Sequence, residues 1–357
     1  IIGSSPEYYY RNKMEFSFSD RQWLTEPPPK DAVSQAPGTG QPLYLGFHAT
    51  GRYDKVIDIA ECHLQSERTI RILQFIRDFA RANRLPVYTS EDHSGYLRFL
   101  VIRETKRTDQ VMVNLVTLTD RPEVMRTLAG ALVSEFPFIT TVINTINSRR
   151  AQVAFGESER VMHGEGVIVE ELGGYQFVIS AGSFFQTNTE QAERLFEVAR
   201  SFAALSGSEN VFDLYSGTGT IAIVLSRSAK NVVGIESVQS AIDDAERNVK
   251  INGVTNCAFV RGDLKDRLTK ETEWRRDHPD PDILVIDPPR SGMHPKVVEE
   301  LKSMRVPRIV YVSCNPTTQA RDVKLLCDGP YGLEKLQPVD MFPHTYHVEN
   351  VALLTIS

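Results

Sequence analysis

Phe212-Asp213-Leu214-Tyr215-Ser216-Gly217-Thr218-Gly219-Thr220-Ile221-Ala222 reads as a strand, a glycine turn and the start of a helix. Gly217 and Gly219 permit backbone angles and close approaches that a Cβ forbids. The strand that follows ends on Glu236, 17 residues after Gly219. A carboxylate there can accept both ribose hydroxyls of an adenosine. A glycine pair alone also occurs in loops for purely structural reasons. Strand, turn, second strand and terminal Glu236 taken together point to an adenosine-type ligand. Gly217-x-Gly219-x-x-Ala222 also fits the relaxed dinucleotide fingerprint. A dinucleotide needs a pyrophosphate cradle and a hydride acceptor site; S-adenosylmethionine needs only a ribose anchor, an adenine slot and polar groups near its methionine.

Outward from this stretch the chain alternates short apolar strands with helical segments, the pattern of a parallel sheet with crossover helices. The strands are expected at Val211–Tyr215, Val232–Glu236, Cys257–Asp263, Ile283–Asp287 and Ile309–Cys314. Their C-terminal ends carry polar or glycine residues, where open α/β sheets place ligands. Asp263 can accept from an adenine amino group or can cap the helix that starts at Leu264. Two late strands, Leu333–Met341 and Val348–Ile356, have no helix between them and are expected to pair antiparallel. The fold class is therefore α/β, a Rossmann-like domain with an antiparallel last strand.

A smaller α+β domain precedes it. Met14–Ser19 alternates as a half-buried strand. Ile70, Leu73, Ile76 and Phe79 give helical spacing within Glu67–Asn83. Leu97–Ile102 and Val111–Val116 read as paired strands, and Pro122–Glu135 as a helix with Pro122 near its start. The Pro/Gly-rich stretch 27–42 reads as an exposed loop. The division is expected near Ala181-Gly182-Ser183, giving domains 1–183 and 184–357. Thr187-x-x-Glu190 is read as a capping box for a helix reaching about Leu205.

Two further segments bear chemistry. Ile286-Asp287-Pro288-Pro289-Arg290 ends the fourth strand, and its two prolines stiffen the backbone and remove donors. Such a segment suits a rigid seat for a planar base, or is a plain Asp-Pro turn. Val312-Ser313-Cys314-Asn315-Pro316 ends the fifth strand, which puts Cys314 on the same edge as Asp287 and the glycine turn. A free Cys is often an inert small apolar group; followed by Asn-Pro at a site edge, it suits a reactive thiol. Glu349, in His347-Val348-Glu349-Asn350-Val351, is either a charge on a solvent-facing edge or a base. Together they supply what methylation of a pyrimidine at C5 requires. A thiolate adding at C6 makes C5 a carbon nucleophile, a base then removes the C5 proton, and donor and acceptor must approach within about 3–3.5 Å.

The chain has 357 residues, of which 41% are apolar and 24% charged. No run of about 18 apolar residues suggests a membrane span. The first six residues lack the features of a signal peptide and an initiator Met, so a fragment or processed product is expected. The four cysteines (Cys62, Cys257, Cys314, Cys327) form neither a CxxC pair nor a zinc spacing. They fit a reducing, cytoplasmic compartment and no metal. Net charge is −6, with 20 basic against 22 acidic residues in 1–183 and 20 against 24 in 184–357. Charge alone thus argues against nucleic-acid binding.

Tyr10-Arg11-Asn12-Lys13-Met14-Glu15-Phe16, Phe185-Gln186-Thr187-Asn188, the glycine turn, Asp287-Pro288-Pro289-Arg290, Ser313-Cys314-Asn315-Pro316 and His347-Val348-Glu349-Asn350 occur in the order seen in RNA uracil-C5 methyltransferases. Over nearly its whole length the chain resembles the bacterial family that makes 5-methyluridine in 23S rRNA or tRNA. The resemblance implies a class I methyltransferase domain that uses S-adenosyl-L-methionine. It implies Cys314 as nucleophile and Glu349 as base. It implies that Gln186, Tyr215, Gly217, Thr220, Glu236, Asp263 and Asp287 line the donor pocket, and that Arg11, Phe184 and Asp287 hold a flipped uracil in RNA, with 23S rRNA the first expectation and tRNA the alternative. Many members carry an N-terminal β-barrel RNA-binding domain and a four-Cys iron–sulfur cluster ahead of the Tyr-Arg-Asn-Lys segment. This chain starts just before it and lacks those cysteines, so no cluster is expected. A monomer is expected.

Three rivals remain on the residues alone. An exocyclic-amine methyltransferase would need only Asp-Pro-Pro, leaving Cys314 inert. An NAD-dependent oxidoreductase could use the same glycine turn, and a non-enzymatic RNA binder would leave Cys314 and Glu349 unexplained. RNA cytosine-C5 enzymes share the thiolate chemistry; the His-Val-Glu-Asn segment points to uracil.

Overall fold

The computed structural model describes residues 1–24, 26, 42–52, 54–268 and 273–356. Most of the stretch read as an exposed loop, 27–41, lies outside them. The chain divides into two compact units. One holds Tyr8–Val169 and Ser180–Gly182; the other holds Ile1–Glu7, Glu170–Ile179 and Ser183–Ser357. Residues 1–7 and 170–179, counted with the first domain on sequence, thus group with the later unit.

The first unit contains β1 (Lys13–Ser19), β2 (Tyr44–His48), β3 (Val56–Asp58), α1 (Glu67–Ala82), β4 (Leu97–Glu104), β5 (Val111–Thr117), α2 (Pro122–Glu135), β6 (Ile139–Ile146) and β7 (Ser158–His163). They form one sheet in the order β3-β2-β1-β4-β5-β6-β7. β5 and β6 run parallel, and α2 is the crossover such a pair requires. The other neighbours are antiparallel. β4 and β5 are buried along their whole length. α1 and α2 bury Ile72, Leu73, Ile76, Met125, Leu128 and Leu132 in one core with the sheet. Gly173-Gly174, both with positive φ, join β8 (Val167–Leu172) to β9 (Tyr175–Ser180) in a separate two-stranded ladder.

The later unit begins with α3 (Thr189–Ala203). Its cap is Asn188, whose side chain accepts from Gln191 N at 3.2 Å, and not Thr187 as expected. Asn is at least as good a cap as Thr, and its amide also donates to Met341 O at 3.2 Å, which fixes the start one residue later. There follow β10 (Asn210–Leu214), α4 (Thr220–Ser226), β11 (Asn231–Glu236), α5 (Gln239–Ile251), β12 (Cys257–Arg261), α6 (Leu264–Arg267), α7 (Glu273–Asp277), β13 (Ile283–Ile286), α8 (Pro295–Met304), β14 (Arg308–Ser313), α9 (Pro316–Cys327), β15 (Tyr331–Val339) and β16 (Glu349–Ile356).

The sheet order is β12-β11-β10-β13-β14-β16-β15. β10 to β14 run parallel. The chain starts in the middle at β10, winds outward to β12, then returns to β13 on β10's other side. This reversal opens a crevice at the C-terminal ends of β10 and β13, the place where such sheets bind ligands. β16 is inserted antiparallel between β14 and β15, as expected for the two late strands. The fold is a Rossmann-like α/β sheet with an antiparallel last strand pair. Phe212, Leu284, Ile286, Ile309, Tyr311 and Leu354 sit at the centre of its core. Among the described residues no helix is long and apolar enough to cross a membrane.

Candidate active site

The strands stop a residue or two before the ends expected from sequence, so Tyr215, Asp263, Asp287 and Cys314 lie just beyond them in the connecting turns. That frees their side chains from the pleat and gathers them at one edge. After β10 the backbone reverses through Tyr215 (φ 64), Gly217 (φ 52) and Gly219 (φ 77). A Cβ on Gly219 would lie 2.6 Å from Phe259 Cζ, whereas one on Gly217 would meet nothing within 4 Å. Gly219 therefore serves packing, and Gly217 leaves open space over the turn. Gly217 N donates to Glu236 Oε2 at 3.1 Å. The other carboxylate oxygen accepts from Ser237 N and Val238 N at 2.7 and 2.9 Å. Glu236 thus ties the glycine turn to the start of α5 and keeps lone pairs for a hydroxyl-bearing ligand. Val238, 53% exposed, is an apolar surface beside it that sequence reading did not single out.

Asp263 does cap α6, accepting from Lys265 N at 3.1 Å and pairing with Lys265 Nζ at 2.8 Å. The hydrogen bond from Lys265 holds its pKa below the usual range. Thr220 opens α4, 3.3 Å from the Thr218 hydroxyl. That hydroxyl donates to Phe184 O at 3.3 Å, which links the glycine turn to the segment before α3; Gln186 follows two residues on. The Phe184 ring is 66% exposed, a free face for stacking. Arg11 belongs to the other unit, just ahead of β1, where its Nε donates to Lys13 O at 3.4 Å.

The reacting edge is built by strand register. Ser313 pairs with Asn350 across β14 and β16, so the next step brings Cys314 opposite Glu349. Ser313 Oγ accepts from Asn315 N at 3.1 Å, and Asn315 caps α9 by accepting from Thr317 N at 3.1 Å. Cys314 is thereby held at the head of a helix. Gln319, from the first turn of α9, donates to Tyr311 O at 2.8 Å and Asn350 O at 3.2 Å, bracing Glu349's neighbour. Burial first, and then the Asp287 charge, push Glu349 up to about 8, against Arg290. Burial pushes Asp287 up to about 7. The Cys314 thiol is raised by burial, then by Glu349 and Asp287, and lowered by Arg290.

Asp213, which the sequence does not mark as a site residue in its own right, is fully buried and pushed well above the usual carboxylate range, by burial and then Asp287. One of its oxygens accepts from Ala222 N at 3.1 Å; the other has no hydrogen-bond partner. The crevice thus combines an open glycine turn, a carboxylate with lone pairs to spare and buried carboxyl groups whose charges would repel one another. A sulfonium-bearing adenosine matches all three, because its positive charge offsets the repulsion. Among the described residues no group of three or more His, Cys, Asp or Glu side chains is placed to hold a metal.

The tRNA (uracil-5-)-methyltransferase family model matches residues 123–356. The chain belongs to that family. Relatives match nearly all of this chain, which spans about three quarters of their own length. An uncharacterized RNA methyltransferase of Porphyromonas gingivalis is 44% identical, covering 99% of this chain and 76% of that protein. One from Bacteroides thetaiotaomicron is 42% identical, covering 100% and 77%. Among solved structures, the tRNA (uracil-54, C5)-methyltransferase of Pyrococcus abyssi, crystallised with S-adenosyl-L-homocysteine, is 31% identical with a TM-score of 0.76, covering 99% of this chain and 78% of that one. As a member of this uracil-5 methyltransferase family the chain is an S-adenosylmethionine-dependent RNA methyltransferase. The oxidoreductase and non-enzymatic readings are thereby set aside.

Proposed function

We propose that the protein forms 5-methyluridine in RNA through a covalent Cys314 adduct, with 23S rRNA as its target. The observation that supports the chemistry is the pairing of Ser313 with Asn350, one residue before Cys314 and one after Glu349, with the Glu349 charge acting on the Cys314 thiol. S-adenosylmethionine supplies the electrophilic methyl group. Gly217, Glu236 and Val238 hold its adenosine, with Asp263, Thr220, Tyr215 and Gln186 around it. The Cys314 sulfur adds to C6 of the uracil, and the electron pair of the 5,6 double bond moves toward O4. C5 then forms its bond to the methyl group as the donor's sulfur–methyl bond breaks, its electron pair leaving on the sulfur of S-adenosylhomocysteine. Glu349 accepts the proton from C5, the S–C6 bond breaks, and the double bond returns with the thiolate released.

Asp287, stiffened by Pro288 and Pro289, positions the ring, and the exposed Phe184 ring stacks on an unpaired base. Flipping is required because C5 and C6 are inaccessible within a stack. The overall charge is acidic, yet the first unit has a local basic group. The Lys13 ammonium is pushed down by burial and then by Arg103, opposed by Glu15 at 3.7 Å, with Arg11 adding to the lowering. Such a cluster supports phosphate contact around Arg11. A tRNA target is the second reading, favoured by the likeness to the Pyrococcus abyssi enzyme.

The test uses 5-fluorouridine-substituted RNA, whose C5 fluorine cannot leave as a proton. With S-adenosylmethionine present the wild-type protein is expected to form a stable adduct mapped to Cys314. Cys314→Ser is expected to form none and to lose ~10⁴-fold or more in methylation. An adduct on another cysteine, or full activity of the variant, sinks the mechanism. Nucleoside mass spectrometry of rRNA and tRNA from cells with and without the gene assigns the target.

A further inference from the structure

We propose that Tyr346 is a base platform, its ring stacking on the RNA base next to the methylated uridine and covering the face that flipping leaves bare. The inference rests on the uracil-C5 reading of the site and adds to it a contact with the neighbouring nucleotide. Tyr346 is 91% exposed, the most of any large apolar or aromatic side chain among the described residues. A single exposed ring is ordinary on a protein surface. Its backing, its mounting and its place in the chain set this one apart.

The ring is backed by a second ring. The Tyr346 and His347 centroids lie 4.2 Å apart at 43°, and His347 meets Phe342 edge-on at 6.5 Å and 84°. The Tyr346 face turned away from His347 is left to solvent. The turn that carries it is bonded within itself. Thr345 N and Thr345 Oγ1 both donate to Phe342 O, at 3.1 and 2.8 Å, and His347 N donates to Thr345 Oγ1 at 3.2 Å. His344 takes φ 67, a left-handed conformation uncommon for a residue with a Cβ. The chain leading into the turn is clamped to the start of α3. Gln191 Nε2 donates to Asp340 O at 2.8 Å and Asn188 Nδ2 to Met341 O at 3.2 Å. A ring mounted in this way loses little freedom when a base stacks on it.

Its place in the chain ties it to the reaction. Tyr346 precedes Glu349 by three residues, a span of at most about 11 Å. Asn188, which clamps the turn, follows the exposed Phe184 by four residues. One asparagine therefore links two open rings, Phe184 for the flipped uracil and Tyr346 for its neighbour. Extruding a base strips its neighbour of a stacking partner, and an aromatic ring takes up that face whatever the base, because every base has a π-face.

The probe is bulk RNA from cells lacking the gene, with 5-methyluridine formation and ultraviolet crosslinking, mapped by peptide mass spectrometry, as readouts. Tyr346→Ala is expected to raise the KM for RNA about tenfold, the loss falling on KM rather than kcat. Tyr346→Leu, apolar but without a π-face, should match it, and Tyr346→Trp should keep the wild-type KM. The wild-type protein should crosslink to RNA through Tyr346. S-adenosylhomocysteine binding at the wild-type affinity certifies the fold; if Tyr346→Ala fails that check, Tyr346→Leu is read in its place. A wild-type KM in Tyr346→Leu, or a loss confined to kcat, overturns the platform while 5-methyluridine formation leaves the uracil reading standing. A Tyr346 crosslink from a wild-type protein that forms no 5-methyluridine does the reverse.

Discussion

Two glutamates end up on one edge of one sheet and have opposite fates. Glu236, after β11, accepts from three backbone N–H groups and anchors a turn that is open to ligand. Glu349, at the start of β16, is 3% exposed and sits beside Asp287, which with burial pushes it up to about 8. The glycine-turn half of the crevice is thus satisfied by its own backbone, and the Cys314 half holds carboxyl groups that burial and one another's charge push toward the protonated form. A binding site can be nearly neutral in stability; a reactive one costs burial of charge.

The comparison breaks first at Glu349. Glu349→Gln is expected to lower turnover by ~10²–10³-fold while the covalent RNA adduct accumulates, since the C5 proton has no acceptor. The same variant should be more stable than wild type at high pH. The folded-state pKa of Glu349 lies above its ordinary value of 4.5, so its contribution to stability is fully present below about pH 4.5 and is lost as pH rises through about 8. Gln escapes this loss. The stability gap measured by urea unfolding should widen between pH 5 and pH 9, toward about 3 kcal/mol. Equal gaps at both values would show that Glu349 is not held protonated.

Glu236 sharpens the contrast from the other side. Glu236→Ala should weaken S-adenosylhomocysteine binding about 10–100-fold by calorimetry and leave the pH profile of Cys314 alkylation by iodoacetamide unchanged. A changed profile would mean that the two halves are electrostatically one site. The smallest effect belongs to Asp263. Asp263→Ala should cost about 0.5–1 kcal/mol in unfolding through the lost cap, whereas Asp263→Asn keeps it. If donor affinity falls in both variants, the carboxylate contacts the adenine; if in neither, it is a cap alone.

Much of the later unit was legible because its strands are short, apolar and punctuated by polar ends, which puts Cys314 and Glu349 at one edge of the sheet. The first unit was read less completely. β6 (Ile-Thr-Thr-Val-Ile-Asn-Thr-Ile) buries Asn144 and Thr145 at 0% exposure, where their side chains bond within the sheet; such polar residues hide a central strand. β7 is mostly exposed and carries no apolar alternation. Thr187 lost the cap of α3 to Asn188 because Asn188 answers to two partners, one of them 153 residues away.

The antiparallel insertion of β16 beside β14 has a consequence for how this enzyme can vary. In the proposed mechanism the rung pairing Ser313 with Asn350 brings nucleophile and base together. The exposed residues 344–346 lie outside both ladders, so a change of length there leaves the rungs in place. A slide of one rung, in contrast, would turn Glu349 to the opposite face of the sheet and leave an enzyme able to capture its substrate but not to let it go.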